Sequence, residues 1–318
     1  MEDSLILLKP VYMERVWGGR TLESLYGRSL PSPGKPFGES WEVVDREEAQ
    51  SVVASGSFAG KSLHELWANH RAEVFGAAGV ASSADRFPVL VKILDARDKL
   101  SIQVHPPADI APSLNGEPKT EMWYIVHAEA GAELYVGLVD GINRERFEEG
   151  LEDGATAEQV HRITPKAGEF IFIPSGRLHA IGAGLLIFEI QQNSDTTYRV
   201  FDWNRVGLDG KPRDLHVEES LLCIDFDDVE PGMTEPDGDR LVACDYFEVS
   251  RKAISRETAE TITTAGEFAI IAVTSGPVSV GDQTFQNGDF FLIPASAPEA
   301  LRHFRSSGGG EVLVTRLP

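Results

Sequence analysis

Gly168-Glu-Phe-Ile-Phe-Ile-Pro174 returns near the C-terminus as Gly288-Asp-Phe-Phe-Leu-Ile-Pro294. Each copy opens on a glycine, runs through four apolar residues and stops at a proline. Short apolar runs bounded by turn residues read as buried strands, and proline ends a strand because it has no N–H to donate. Gly131 and Gly276 align upstream of the two copies, and the first copy carries an insertion that corresponds roughly to residues 143–161. Two copies of one small β unit is the simplest account. Further runs of the same kind fall at residues 41–44, 89–94, 100–105, 121–127, 133–138, 185–191, 198–203, 247–254, 268–274 and 311–316. Their spacing and punctuation predict a mainly β protein of antiparallel strands, a sandwich or jelly roll.

Helices are a minority. Ser62-Leu-His-Glu65 is a capping-box pattern and predicts a helix to about Phe75. A second helical stretch is expected within residues 143–161, weakened by Gly150 and Gly154. The acidic segment 225–239 contains proline and glycine and reads as a linker. The expected organisation is a first domain over residues 1–225, a linker over 226–239 and a C-terminal domain over 240–318.

The whole chain has 318 residues, enough for about two domains. Hydrophobic residues make up 42% and charged residues 25%, so a sizeable core is affordable and wholesale disorder is not expected. The formal charge is −21, and the pI near 4.7 argues against a nucleic-acid partner, which needs a basic footprint. An anionic small molecule is not excluded, because a few local cations outweigh a distant negative surface. Cys223 and Cys244 are too few for a disulfide framework. The start of the chain carries Glu2 and Asp3 and reads as neither a signal peptide nor a membrane span. Cytoplasm is the expected location.

The two copies differ where chemistry would sit. Five residues after Pro174 stands His179, whereas five after Pro294 stands Glu299. The second copy also has no counterpart of Gln103 and His105, so a reactive centre belongs to the first. In Leu100-Ser-Ile-Gln-Val-His-Pro106, Ser101, Gln103 and His105 alternate with aliphatic residues and share one strand face. In Glu117-Pro-Lys-Thr-Glu-Met-Trp-Tyr124, Glu121 opens an apolar strand with Lys119 two residues before it. In Ile173-Pro-Ser-Gly-Arg-Leu-His179, Pro174 and Gly176 set a tight turn ahead of the histidine. Each piece alone also fits a plain account: a solvated polar strand, a strand-start ion pair, a structural histidine. Together Gln103, His105, Glu121 and His179 make a centre for one divalent cation. Neutral imidazoles, one carboxylate and one amide oxygen suit Zn²⁺ with an open coordination position. In Glu189-Ile-Gln-Gln-Asn-Ser-Asp-Thr-Thr-Tyr-Arg-Val-Phe-Asp-Trp203, Arg199, Phe201 and Trp203 are expected on one face. Arg199 beside a cation would stabilise an oxyanion or bind phosphate. Its plain alternative is a surface pair with Asp195 or Asp202.

These segments, with Arg15-Val-Trp-Gly-Gly19 and Phe37-Gly-Glu-Ser-Trp-Glu42, resemble type I mannose-6-phosphate isomerase, a zinc-dependent cupin family, over nearly the whole chain. The resemblance implies a cupin (double-stranded β-helix) fold with a second, ligand-free repeat. It implies interconversion of mannose 6-phosphate and fructose 6-phosphate with one zinc ion per chain. Gln103, His105, Glu121 and His179 match the family's ligands, Lys119 its lysine, Arg199 its active-site arginine and Asp195 an acidic residue assigned to ring opening. The length resembles the short bacterial form. Pro118 stands where longer members carry a histidine, so that histidine's role does not carry over.

For the proton carried between C1 and C2 the candidates are Lys119, Glu189 and Asp195; Lys119 is expected to have a depressed pKa beside the cation. Lys99, Ser101 and Arg177 are candidates for phosphate contact, and Trp17, Glu39 and Trp41 for shaping the pocket. A hexose phosphate is the expected partner, with no membrane partner. The C-terminal copy is expected either to bury sheet surface of the first domain or to form a homodimer contact. Two rival readings are a non-catalytic sugar-phosphate-binding paralogue and a cupin dioxygenase. Gln-x-His in place of the His-x-His common in the latter weighs against it.

Overall fold

The computed structural model describes residues 4–318, so Glu2 and Asp3 of the N-terminal reading lie outside the described residues. The chain forms two antiparallel β-sandwiches packed back to back. In the first, a six-stranded sheet runs in the order Phe170–Ile173, Glu121–Ala128, Leu185–Gln192, Val89–Ala96, Val11–Gly19, Phe37–Val43. It faces a five-stranded sheet ordered Tyr198–Phe201, Ile102–Val104, His179–Ile181, Leu134–Leu138, Val160–Ile163. The second sandwich repeats the plan with five and four strands.

The repeated sequence occupies equivalent edges. Phe170–Ile173 pairs with Glu121–Ala128, which pairs with Leu185–Gln192. Phe290–Ile293 pairs with Ala269–Ser275, which pairs with Gly310–Arg316. Register then identifies what the second copy has lost. Ile173 sits opposite Glu121 and Ile293 opposite Ala269. One pair further along the face, Trp123 and Glu189 are matched by Ile271 and Val314. The second barrel interior is therefore apolar where the first is charged.

Period-two alternation divides the two cores. In the large sheet of the first sandwich Trp123, Ile125, Ile171 and Ile187 point into its own barrel. Met122, Tyr124, Phe170 and Phe188 point the other way, onto Val249, Ile270, Leu292 and Leu313 of the second sandwich. The C-terminal copy thus buries sheet surface of the first domain, the first of its two expected roles. Residues 225–239 do not hang free. Pro231 packs on Gly137, and Thr234 exchanges hydrogen bonds with the edge strand at Phe170 and Phe172.

Ser62 caps a helix with both capping-box bonds, but that helix is Leu63–Asn69 and breaks at His70. A second one, Arg71–Ala81, follows and carries a non-helical residue at Gly76. The break wedges the pair between the sandwiches, with Trp67 and Phe75 against Phe87 and Phe268. The inserted helix is Arg144–Asp153, capped by Asn143 and ended by Gly154 in the left-handed region. Short helices Thr21–Tyr26 and Val217–Cys223 have no clear periodic signal. No helix among the described residues is long and apolar enough to cross a membrane. Cys223 and Cys244 are both free thiols.

Candidate metal centre

Three strands of the smaller sheet bring Arg199, Gln103 and His179 into one row, since Gln103 is opposite both of the others. The larger sheet faces them with Glu121, Trp123 and Glu189. Ile102 and Val104 do alternate with Gln103, but the core they enter is the outer layer under helix Arg144–Asp153. The polar face therefore looks into the barrel. Leu100 leaves the alternation: the strand starts at Ile102, and Leu100 packs inside with Trp17 and Leu94.

His105, Glu121 and His179 are all buried, and ligand atoms from the three lie within 4.8 Å of one another. Glu121 Oε2 is 3.5 Å from His105 Nε2, and Glu121 Oε1 is 3.7 Å from His179 Nε2. The outer nitrogens set the tautomers. His105 Nδ1 donates to Thr196 O at 2.9 Å and His179 Nδ1 to Arg177 O at 2.9 Å. A carbonyl only accepts, so both Nδ1 atoms carry the proton and both Nε2 atoms turn lone pairs inward. Gly176 holds the turn before His179 in the left-handed region (φ 89°), and its N–H donates to His105 O at 2.9 Å. The turn thus locks the two histidine segments together.

The centre has too few donors for its acceptors: Lys119 pairs with Glu121, and the Gln103 amide nitrogen lies 3.3 Å from His179 Nε2. His105 Nε2 and Glu121 Oε1 are buried with no hydrogen-bond partner among the described residues, and Glu121 Oε2 is paired with the Lys119 ammonium at 2.9 Å. Each unsatisfied buried polar atom costs about 1–3 kcal/mol. Lone pairs and a carboxylate converging on one point are satisfied together by a cation, so the residues fit a metal ion. Burial, then Lys119, push His105 down to about 3, which keeps its imidazole neutral. Burial also holds His179 below its ordinary value. Burial raises Glu121, but Lys119 and the histidines outweigh it and leave the carboxyl ionised.

Lys119 Nζ pairs with Glu121 Oε2 at 2.9 Å and reaches Glu189 Oε1 at 4.0 Å. The two carboxylates overcome burial and raise its pKa, opposite to the depression expected from the sequence. That expectation supposed a neighbouring cation. A metal on Glu121 would neutralise the nearer carboxylate and repel the ammonium, whereas the side chains alone do the reverse. Burial and the nearby Glu121 charge raise Glu189, whose Oε2 accepts from Trp123 Nε1 at 3.0 Å.

Above the centre opens a cleft of about 520 Å³. Lys119, Glu189, Asp195, Arg199, Ser101, Gln103 and Trp17 all line it. Glu39 lines it too, tied to Arg15 by two contacts of 3.1 Å, while Trp41 supports Glu39 from below. Two predicted contacts are absent from it. Lys99 lays its ammonium over Trp203 and Tyr135, at 4.4 and 5.6 Å from the ring centroids. Arg177 is spent on Asp228, with two bonds of 2.8 Å, and on Phe172 O, so it anchors residues 225–239. Trp203 also departs from the expected face. Its φ of 57° takes it out of the strand, and its indole donates to Leu100 O. Arg199 takes neither aspartate as partner: Asp202 binds Arg205 and Arg213, and Asp195 faces Lys92 at 3.9 Å.

Lys92 and Arg213 also line the cleft and were missed. Lys92 is buried, 3.5 Å from Glu189 Oε1, with its ammonium over Trp41. Its signal was a lysine inside Val89-Leu-Val-Lys-Ile-Leu94, since a strand buried on both faces admits a lysine only with partners. Arg213 sits in an irregular loop and gave none. The second barrel shows why spacing misaligned Glu299 with His179. A turn, Glu299–Arg302, is inserted there, and the equivalent strand starts at His303. Phe304 enters the core, so alternation puts His303 outside.

Fold and site together define a cupin with a buried His–Glu–His group that could hold a metal ion beneath a charged cleft. Residues 5–120 match the family described as phosphomannose isomerase type I, catalytic domain. The chain is 37% identical to mannose-6-phosphate isomerase ManA of Bacillus subtilis, over the whole of both chains. It is 35% identical to mannose-6-phosphate isomerase of Streptococcus mutans, covering 99% of this chain and 98% of that one. The crystal structure of mannose 6-phosphate isomerase from Bacillus subtilis superposes with a TM-score of 0.85 at 33% identity, covering 99% of this chain and all of that one. The apo form from Salmonella typhimurium shares the fold at 18% identity, with a TM-score of 0.74 over the full length of both. The chain belongs to the type I mannose-6-phosphate isomerase family.

Proposed function

We propose that this chain is an aldose–ketose isomerase that interconverts mannose 6-phosphate and fructose 6-phosphate through a cis-enediol. The observation that carries the reading is the convergence of ligand atoms from His105, Glu121 and His179 under the cleft, with His105 Nε2 and Glu121 Oε1 lacking a hydrogen-bond partner among the described residues. His105, Glu121 and His179 would hold the cation, which we assign as one zinc ion. Gln103 would complete the set through Oε1. Its amide now accepts from Ser101 Oγ at 3.0 Å, and half a turn would point Oε1 inward while Nε2 donates to the same hydroxyl. When bound, the ion supplies positive charge that polarises sugar oxygens.

The chain's own residues do the remainder. Arg199 offers a guanidinium to the oxygen that becomes negative as the enediol forms. Glu189 and Lys119 sit side by side on the cleft floor and are the pair that moves the proton between C1 and C2. Burial raises the Glu189 carboxyl above its ordinary range, the direction a proton carrier needs. Asp195, half-exposed and lining the cleft, is the candidate for ring opening. Trp17 and Ser101 wall the site. Free thiols and a phosphorylated substrate agree with a cytoplasmic location.

The test is a coupled assay with mannose 6-phosphate on enzyme as purified, after chelation, and after zinc is restored. Activity should vanish on chelation and return with zinc. Turnover indifferent to stripping would refute the centre. Oxygen uptake with ferrous iron, and no isomerisation, would favour the dioxygenase reading instead.

A further inference from the structure

Arg199 is the one cation lining the cleft whose guanidinium makes no protein hydrogen bond or ion pair among the described residues. Lys119, Lys92, Arg15 and Arg213 each have a carboxylate partner. With no side-chain partner to hold it, the guanidinium is aimed by its own main chain. That main chain lies at an open edge. Tyr198–Phe201 is the last strand of its sheet, with Ile102–Val104 on one side and no strand on the other among the described residues. The pairing also slips there: Arg199 is opposite Gln103 and Phe201 opposite Ile102, so Val200 is an extra residue. A bulge of this kind re-aims a side chain and interrupts the regular ladder. The backbone groups of Arg199 therefore need partners from outside the sheet.

One residue supplies both. His216 N–H donates to Arg199 O at 2.7 Å, and Arg199 N–H donates to His216 Nδ1 at 3.3 Å. Because Nδ1 accepts, the imidazole is neutral and carries its proton on Nε2. His216 is itself anchored. It stands directly before the helix Val217–Cys223, and its carbonyl accepts from Ser220 N–H at 2.9 Å and from Ser220 Oγ at 2.6 Å. Its ring meets Tyr198 edge to face, with centroids 6.0 Å apart. Cys223 and Ile224, at the far end of the helix, share a core with Ile102, Val104 and Val200. A packed helix thus holds His216, and His216 holds the bulge. The ring makes no capping bond to its helix, so starting the helix does not account for a histidine here. Any residue but proline would donate to Arg199 O; the acceptor for Arg199 N–H needs this side chain.

We propose that His216 is the positioning residue for Arg199: its ring accepts the Arg199 N–H and so fixes the bulge that aims the guanidinium into the cleft. This rests on the reading of Arg199 as the group that meets the developing negative charge. The test compares two variants of the full-length, zinc-loaded enzyme, each alone and combined with Arg199→Ala. His216→Phe keeps a ring against Tyr198 and loses the acceptor; His216→Asn loses the ring and offers Oδ1 in place of Nδ1. His216→Phe should lower kcat for mannose 6-phosphate about 10-fold, with KM changed by less than about threefold and metal content unchanged. His216→Asn should recover most of that loss. On top of Arg199→Ala, His216→Phe should change kcat by less than about twofold, because the guanidinium it would misplace is gone. Equal losses with and without Arg199 would overturn the proposal and make His216 a purely structural residue. Cooperatively melting His216→Asn that is no better than His216→Phe would overturn it too, since the acceptor would not matter. Full turnover in Arg199→Ala, or a wild-type chain that does not isomerise mannose 6-phosphate, would instead overturn the reading beneath it. Amide hydrogen exchange at Arg199, followed by NMR, then decides the contact without turnover. It should speed up about 10-fold in His216→Phe, the worth of one hydrogen bond, and slow again in His216→Asn. Equal exchange in all three proteins would overturn the proposal.

Discussion

At the scale of single residues, burial does most of the chemical work. His105 and His179 are neutral because the barrel interior penalises an imidazolium, and their backbone partners aim both lone pairs inward. His179→Ala should lose bound metal and turnover together. Arg199→Ala should keep the metal and lose about 10²–10³ in kcat, the cost of removing an oxyanion donor. Metal content and turnover measured on the same samples separate the two, and metal loss in Arg199→Ala would make its role structural. Glu39 gives a second residue-level expectation. Burial raises it, but Lys92, Arg15 and the Trp41 indole together hold it down to about 2. The folded state then binds the proton less tightly than the unfolded chain does. The stabilisation is complete above about pH 4.5 and is lost as the pH falls towards 2. It amounts to something on the order of 3 kcal/mol. The stability gap between wild type and Glu39→Gln, from urea unfolding, should shrink below pH 4.5. A gap constant from pH 7 to 3 would contradict this.

At the scale of elements, the tight passages are where backbone freedom is needed. Gly76 lies in the helix pair at φ 62°, ψ −153°, a region open only to glycine. A Cβ there would meet Gly266 O at 2.5 Å and Ala295 Cβ at 2.9 Å, both in the second sandwich. Gly76→Ala should cost at least about 3 kcal/mol, read as a drop in melting temperature with turnover preserved at lower temperature. Gly60→Ala is the control, with a left-handed φ of 83° but open space around it, and should cost about 1 kcal/mol. Equal losses would mean that strain, not the interface, decides. Element types were largely legible: the repeated Gly-acid-apolar-Pro run, the Ser62 capping box and the Asn143 helix all follow local rules. Boundaries were less so. Leu100 and Trp203 leave their strands because tertiary contacts with Trp17 and with each other outweigh alternation.

At the scale of the molecule, the two sandwiches share one core. Outward faces of both large sheets and the helix pair merge into a single apolar cluster, and Ile6 exchanges backbone hydrogen bonds with Leu292 of the second sandwich. We propose the division into 1–225, 226–239 and 240–318 as one of topology and not of independent folding. A chain ending at residue 239 would expose Tyr124, Phe188 and Ile190, so it should be aggregated or bind a hydrophobic dye. A monomeric product with cooperative melting near that of the full chain would refute the shared core.

The order of residues along the chain already determined the β class and the repeated β unit, because both rest on periodicity and a local motif; Gln103, His105, Glu121 and His179, with Lys119 and Arg199, were picked out by residue type and by the family resemblance and stand as proposals. Which cations reach the cleft was decided only in three dimensions. Lys99, Arg177, Lys92 and Arg213 look alike as sequence. Asp228 and two aromatic rings hold the first pair away, while Glu189 and Asp202 hold the second pair in. A long flexible cation goes where its partner is, and partners distant along the chain are chosen by the packing of the sheets.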